Sequence, residues 1–263
     1  MSQTESPARP AARPLASQTL FRGLDVVDAV AGGARSVQAI ADATGIAFST
    51  AHRLASALVQ ARYLHFEPRR GYKLGSKLLE LGFAAYQDST ITASARDGLE
   101  KLAAQTLDTV HLAMLDGDSV IYLDKIGGQR PIEVNSRIGG RKPICTTGVG
   151  KALILDEGEA RWRERYAYDA EHSGVAVPVE QWIAAMRTYA SGGYTFDMEE
   201  NAPGIRCVSA PVRDLTGRTV AAISVTGTSE YTDETRMKEL VPVVRRVAQA
   251  ISELLGGRHG ASG

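Results

Sequence analysis

The run Thr146-Thr147-Gly148-Val149-Gly150-Lys151 invites a chemical reading first. Small residues and glycines ahead of an apolar stretch open a helix and bare its first backbone N–H groups, which attract an anion. A nucleotide phosphate is the obvious candidate, and the spacing excludes it. The phosphate-binding loop needs Gly at position 145 and Ser or Thr at 152, where this chain has Cys145 and Ala152. Two readings stay open: a site for a small carboxylate, or a helix start built of turn residues.

Nucleophilic and metal chemistry find less support. Cys145 and Cys207 are the only cysteines, and no neighbouring His and carboxylate pattern would activate either. Cys145 reads as a small packing residue. The histidines, at 52, 65, 111, 172 and 259, lack paired ligand spacing. His111, beside Leu112 in an expected strand, reads as a core or pocket histidine. The expectation is no enzyme, no metal and no cofactor. "EARWRERY" (159–166) and Glu199-Glu200 read as solvated charged faces, apart from Trp162, which should pack.

A second chemistry lies in "TGIAFSTAHRLASALVQARYL" (44–64). A helix from near Ser49 commits Ala51, Leu54, Ala55, Leu58 and Val59 to a core at i, i+3, i+4, i+7 and i+8. The opposite face carries Thr50, Arg53, Ser56 and Ala57, with His52 at its edge. Arg53 can address guanine bidentately, and the hydroxyls of Ser49 and Thr50 suit phosphates at a helix start. "RYLHFEPRRGYKLG" then reads as a hairpin with Arg69 and Arg70 at its tip, a wing suited to the DNA backbone. The candidate DNA contacts are therefore Ser49, Thr50, His52, Arg53, Ser56, Arg69 and Arg70.

These residues need elements to hold them. "SQTLFRGLDVVDAVAGG" reads as a helix with Leu20, Leu24, Val27 and Ala31 on its apolar stripe, ended by Gly32-Gly33. Ser36 is the expected N-cap of a second helix bearing Val37, Ile40 and Ala41. "SKLLELGFAAYQ" (76–87) predicts a helix with more apolar surface than a small domain can cover, so a partner helix is expected on it. Residues 91–106 read as a helix with Ala95, Leu99 and Leu102 inward. Hairpins are expected about Gly117-Asp118 and Leu215-Thr216-Gly217, "PIEVNSR" (131–137) as a further strand, and a long closing amphipathic helix containing Pro242. The class is α+β with an antiparallel sheet.

At 263 residues the chain has room for two domains, and its net charge is zero. The charge is unevenly placed: residues 1–86 carry ten Lys and Arg against six Asp and Glu, the remainder twenty against twenty-four. A basic N-terminal third and an acidic remainder point to different partners. "MSQTESPARPAARPLA" reads as a disordered, weakly basic tail without a secretory core. No apolar run would span a membrane, and two cysteines suit a reducing cytoplasm.

"SQTLFRGLDVVDAV", "SVQAIADATGIAFSTAHRLASALVQARYL" and "GYKLGSKLLELG" together resemble the N-terminal domain of IclR-type bacterial transcriptional regulators, and the similarity runs to about residue 255. The resemblance implies a winged helix-turn-helix (17–75), a linker helix (76–88) and a GAF-like effector-binding and oligomerisation domain (89–257), working on a double-stranded DNA operator as a homodimer or homotetramer. "CTTGVGKA", "GYTFDMEENAPGIRCVSAPV" and "AAISVTG" are similar to the segments lining the family's effector pocket. Carried over by position, Thr147, Gly148 and Val149 would meet an acid group. Asp197, Ile205 and Cys207 would form wall, and Ser224 and Thr226 would present hydroxyls. A small hydroxylated or aromatic carboxylic acid would fit such a set. Many members have histidine where this chain has Cys145. The competing reading is a small-molecule-binding or catalytic protein whose helix-turn-helix serves protein contacts only. Steep salt dependence of DNA binding separates the two.

Overall fold

The computed structural model describes residues 18–87, 90–131 and 134–256, so the expected tail falls outside the described residues. The chain divides into two compact units between residues 88 and 89. Among the described residues no helix is long and apolar enough to cross a membrane.

The first unit comprises α1 (Gln18–Ala31), α2 (Val37–Thr44), α3 (Phe48–Gln60), the antiparallel pair β1 (Leu64–Glu67) and β2 (Gly71–Leu74), and α4 (Ser76–Gln87). Ser36 caps α2, its hydroxyl accepting from the Ala39 amide. Val26, Val30, Ile40, Ala41, Ala51, Leu54, Ala55, Leu64 and Tyr72 form the core. The stripe expected on α1 is not the buried one. Val26 and Val30 are fully enclosed, whereas Leu20 and Leu24 are 61% and 50% exposed. This helix carries apolar residues on two neighbouring stripes, and the packing of α2 and α3 selects between them.

The second unit is a six-stranded antiparallel sheet in the order β5-β4-β3-β8-β7-β6. The strands are β3 (Thr109–Asp116), β4 (Ser119–Ile126), β5 (Arg141–Lys142), β6 (Thr195–Met198), β7 (Ile205–Arg213) and β8 (Thr219–Thr228). Both expected hairpins are present, but "PIEVNSR" is not a strand in its described residues. The edge of β4 is taken instead by Arg141-Lys142, whose pairing with Ile121 and Val120 leaves residues 134–140 as a loop.

Helices cover both faces of the sheet. On one, α5 (Thr90–Thr106) and α9 (Glu234–Leu254) bury Leu99, Leu102, Met237, Val244 and Ile251 against Val110, Leu112, Val208, Ala210, Ile223 and Val225. On the other lie α6 (Gly148–Leu153), α7 (Glu159–His172) and α8 (Val179–Gly192), packed through Val149, Leu153, Trp162, Trp182, Ile183 and Met186. Strand side chains alternate between faces. The odd-numbered residues of β3 and β7 and the even-numbered ones of β8 therefore look towards α6.

Candidate functional site

On that second face the sheet is polar where a core would be apolar. Register aligns two rows across β3, β8, β7 and β6: Thr109–Thr226–Cys207–Asp197, and His111–Ser224–Ser209–Thr195. All eight are buried. α6 sits over one end of the rows, with Thr147 as its N-cap: the Thr147 hydroxyl accepts from the Gly150 amide and donates to the Pro143 carbonyl. Thr195 donates to the Gly148 carbonyl at 2.7 Å. A Cβ on Gly148 would lie 2.5 Å from Cys207 Sγ and 2.6 Å from Ser209 Oγ, so only glycine lets the helix start come this close to β7.

Beside this contact is a cavity of about 220 Å³. Thr147, Gly148, Val149, Asp197, Ile205, Cys207, Ser224 and Thr226, the eight residues singled out from the sequence, all line it. The fold adds wall residues that the sequence did not single out: Tyr122, Val134, Asn135, Ser136, Lys142, Asn201 and Ala202. Asn201 and Ala202 fall within a segment that resembles the family's pocket lining, whereas nothing local in the sequence marks the other five, which converge from separate strands and loops. His111, left open as core or pocket, is also in this wall.

His111 centres a hydroxyl network. Its Nδ1 lies 3.3 Å from Ser224 Oγ and 3.4 Å from Thr226 Oγ1, and its Nε2 is 2.7 Å from Ser136 Oγ. Burial, with the Lys125 charge adding to it, lowers its pKa to about 3, so the imidazole is neutral and has one donor and one acceptor nitrogen. The Lys125 ammonium donates to the Val134 and Ser136 carbonyls at 2.9 and 3.0 Å, holding their loop across the strands.

Asp197 is 3% exposed and accepts from the Glu200 and Asn201 amides at 2.9 and 3.4 Å. Burial raises its pKa to about 6, against the pull of Lys151 and the two amides. The Cys207 thiol is pushed up to about 12, again chiefly by burial, and stays protonated. Cys145 is buried in the packing under α6. Burial comes first and Asp169 second in raising its thiol pKa, the opposite of what a nucleophile needs. Its amide donates to Asp169 at 2.7 Å and its carbonyl accepts from the Trp182 indole at 2.9 Å. Among the described residues no group of three or more His, Cys, Asp or Glu could hold a metal ion.

One expectation is overturned here: Glu199-Glu200 is not a solvated face. Glu200 pairs with the buried Lys151 at 2.5 Å, and Glu199 accepts from the Gly204 amide and the Arg206 guanidinium, both at 2.9 Å. Polarity alone does not separate a solvated charge from one whose partner lies far along the chain.

In the first unit, Ser49, His52, Arg53 and Ser56 stand exposed on α3, and Thr50 is half-buried. Arg69 and Arg70 are exposed at the hairpin tip, Arg70 lying 4.0 Å from Glu67. The fold brings His52, Arg69 and Arg70 round one shallow concavity with Arg35 and the aromatic Phe66. The Arg35 guanidinium faces inward, donating to the Val30 carbonyl at 2.7 Å, so it braces this surface.

Both units match family models: residues 19–68 match the IclR helix-turn-helix domain, and residues 83–253 the bacterial transcriptional regulator IclR C-terminal domain. The chain is 31% identical over 245 residues to the HTH-type transcriptional regulator XynR of Escherichia coli K12, covering 91% of this chain and 97% of that protein. The crystal structure of Thermotoga maritima IclR is 26% identical with a TM-score of 0.69, over 90% of this chain and 98% of that one. An IclR homolog from Microbacterium hydrocarbonoxydans, complexed with 4-hydroxybenzoate, shares the fold at 19% identity and a TM-score of 0.76, over 91% and 99% of the two chains. With both units matched and a relative alike over nearly its whole length, the chain belongs to the IclR family of bacterial transcriptional regulators, which act by binding DNA and not by catalysis.

Proposed function

We propose that the cavity of the second unit binds a small carboxylic acid, hydroxylated or aromatic, and that this binding controls the grip of α3 and the β1–β2 wing on a DNA operator. The observation that carries the reading is the cavity itself, whose wall combines polar groups with apolar side chains. At about 220 Å³ it falls below the ~300–1,000 Å³ of drug-sized sites, which limits the ligand to a small molecule. The Val149 amide, on the first turn of α6, has no intrahelical acceptor and with Lys142 suits a carboxylate. Ser224, Thr226 and neutral His111 suit a hydroxyl, as does the Asp197 carboxylate. Tyr122, Ile205 and Val134 give apolar wall. The 4-hydroxybenzoate held by the Microbacterium homolog carries a carboxylate and a hydroxyl at opposite ends of a ring, and so belongs among the acids to try.

A thermal-shift screen of the full-length chain against aliphatic and aromatic hydroxy acids tests this. At 100 times its Kd an effector stabilises by ~2.7 kcal/mol. A panel that gives no shift, or a shift that survives Asp197→Ala and Ser224→Ala, counts against the cavity as the site.

On the DNA side, Arg53 is assigned to a base edge and Arg69 and Arg70 to phosphates. On a duplex selected in vitro from a random pool, Arg53→Ala is expected to lose ~1–3 kcal/mol, and only on the selected sequence. Removing Arg69 and Arg70 is expected to weaken selected and scrambled duplexes alike and to flatten the salt dependence. Binding titrations at fixed salt read both, and an unchanged affinity of Arg53→Ala removes that residue from base recognition.

Leu79, Leu81 and Phe83 on α4, with 78%, 43% and 63% exposure, support a homodimer or homotetramer in which a second copy covers that helix. Recognition helices paired in this way read half-sites at a set spacing. The acid acts by linkage: it shifts the equilibrium only as far as it binds the DNA-bound and free states differently.

A further inference from the structure

Lys151 ends the run whose spacing rules out a nucleotide. α6 buries it to 1% exposure, among the largest fully enclosed side chains described. A buried ammonium must be paired. Its Nζ lies 2.5 Å from Glu200 Oε2 and 5.9 Å from the centre of the Tyr189 ring. Glu200 belongs to the segment 199–204 between β6 and β7, which gives Asn201 and Ala202 to the cavity wall. The Glu200 and Asn201 amides are the donors to Asp197 Oδ1. Glu199 begins the segment at φ +71°, a left-handed conformation that a non-glycine residue keeps only under restraint. One ion pair therefore joins the helix that opens the cavity to the turn that orients Asp197.

We propose that Lys151 is a positioning residue of this cavity: by holding Glu200 it fixes residues 199–201, and so sets the direction in which Asp197 presents its carboxylate to the hydroxyl of a bound acid. The inference rests on the ligand reading of the cavity, and it deepens that reading by naming what makes the polar wall rigid. Lys151 also acts on Asp197 through space, favouring the ionised form that burial disfavours.

The test uses the full-length chain without ligand. Two readouts are followed in Lys151→Met and Lys151→Arg: hydrogen exchange of the Glu200 and Asn201 amides, and titration of the Asp197 carboxyl by carbon-13 NMR. In Lys151→Met these two amides should exchange ~10-fold faster or more, with α9 amides unchanged, and the Asp197 midpoint should rise by about one pH unit. Lys151→Arg should restore both. An unmoved midpoint, unmoved amides, or exchange that rises uniformly through the unit overturns the proposal, the last by making Lys151 merely structural. Should Lys151→Met fail to fold, the neutral pair Lys151→Met with Glu200→Gln is measured the same way. The same faster exchange of the two amides is expected, with a smaller rise of the midpoint, since the Glu200 charge that raises the Asp197 pKa is removed with the Lys151 charge that lowers it. Because both readouts are ligand-free, a hydroxy-acid screen without hits would sink the effector reading and leave this result standing separately.

Discussion

Gly71→Ala is expected to destabilise the first unit by ~3 kcal/mol or more, and to weaken DNA binding although no DNA-facing side chain is changed. Gly71 opens β2 at φ +78°, where a Cβ is strained in any surroundings. Here the surroundings forbid it as well, because an ideal Cβ would lie 1.9 Å from the Arg35 carbonyl oxygen and 2.9 Å from its carbon. That carbonyl is committed, accepting from the Tyr72 amide at 2.9 Å. The Arg35 side chain completes the clamp from Val30 to the Tyr72 carbonyl, 2.7 and 3.4 Å away. A methyl group must lift the hairpin off the α1–α2 connection, drawing buried Tyr72 from the core and displacing Arg69 and Arg70. Thermal unfolding followed by circular dichroism, with duplex binding at fixed salt, checks this. An alanine variant as stable as the parent would mean that the hairpin slides freely on Arg35.

Asp197→Asn is expected to stabilise the protein by ~3 kcal/mol near pH 7.5 and by almost nothing near pH 4, while removing its response to a hydroxy acid. Burial raises the Asp197 pKa from 3.8 to about 6, and Lys151 and the Glu200 and Asn201 amides only partly oppose it. The folded state therefore holds a proton that the unfolded chain has released. Stability is lost as pH climbs from about 4 to about 6, and the full penalty persists above that. Asparagine keeps an oxygen for the same two amides and has no charge to desolvate. Urea unfolding at both pH values decides the matter: parallel pH profiles for parent and variant would show that Asp197 is not the group responsible. A costly carboxylate retained in a cavity wall fits a binding role better than a structural one.

How much of this was legible depended on the distance over which each feature is decided. α3 reads directly, since its 3.6-residue period separates buried Ala51, Leu54 and Ala55 from exposed Ser49, His52, Arg53 and Ser56. The same rule misjudges α1, where two apolar stripes compete and only the neighbouring helices choose Val26 and Val30. Alternation in "PIEVNSR" suggests a strand, but β4 had already found its edge partner in Arg141-Lys142. The eight cavity residues were found through short segments resembling a known family; composition and period alone left a carboxylate site and an ordinary helix start equally open.

By itself, then, the sequence determined the local features: the buried face of α3, the Ser36 cap, the two hairpins, the basic wing and the exclusion of a nucleotide loop. Each of these is set by residues within about one or two turns of one another. Tertiary structure alone decided that His111 meets Ser136 and Ser224, 25 and 113 residues away, that Cys145 is held by Asp169, and that Lys151 crosses 49 residues to Glu200. Those pairings follow from strand register and helix placement, which bring distant polar groups into one water-poor space where each must find a partner.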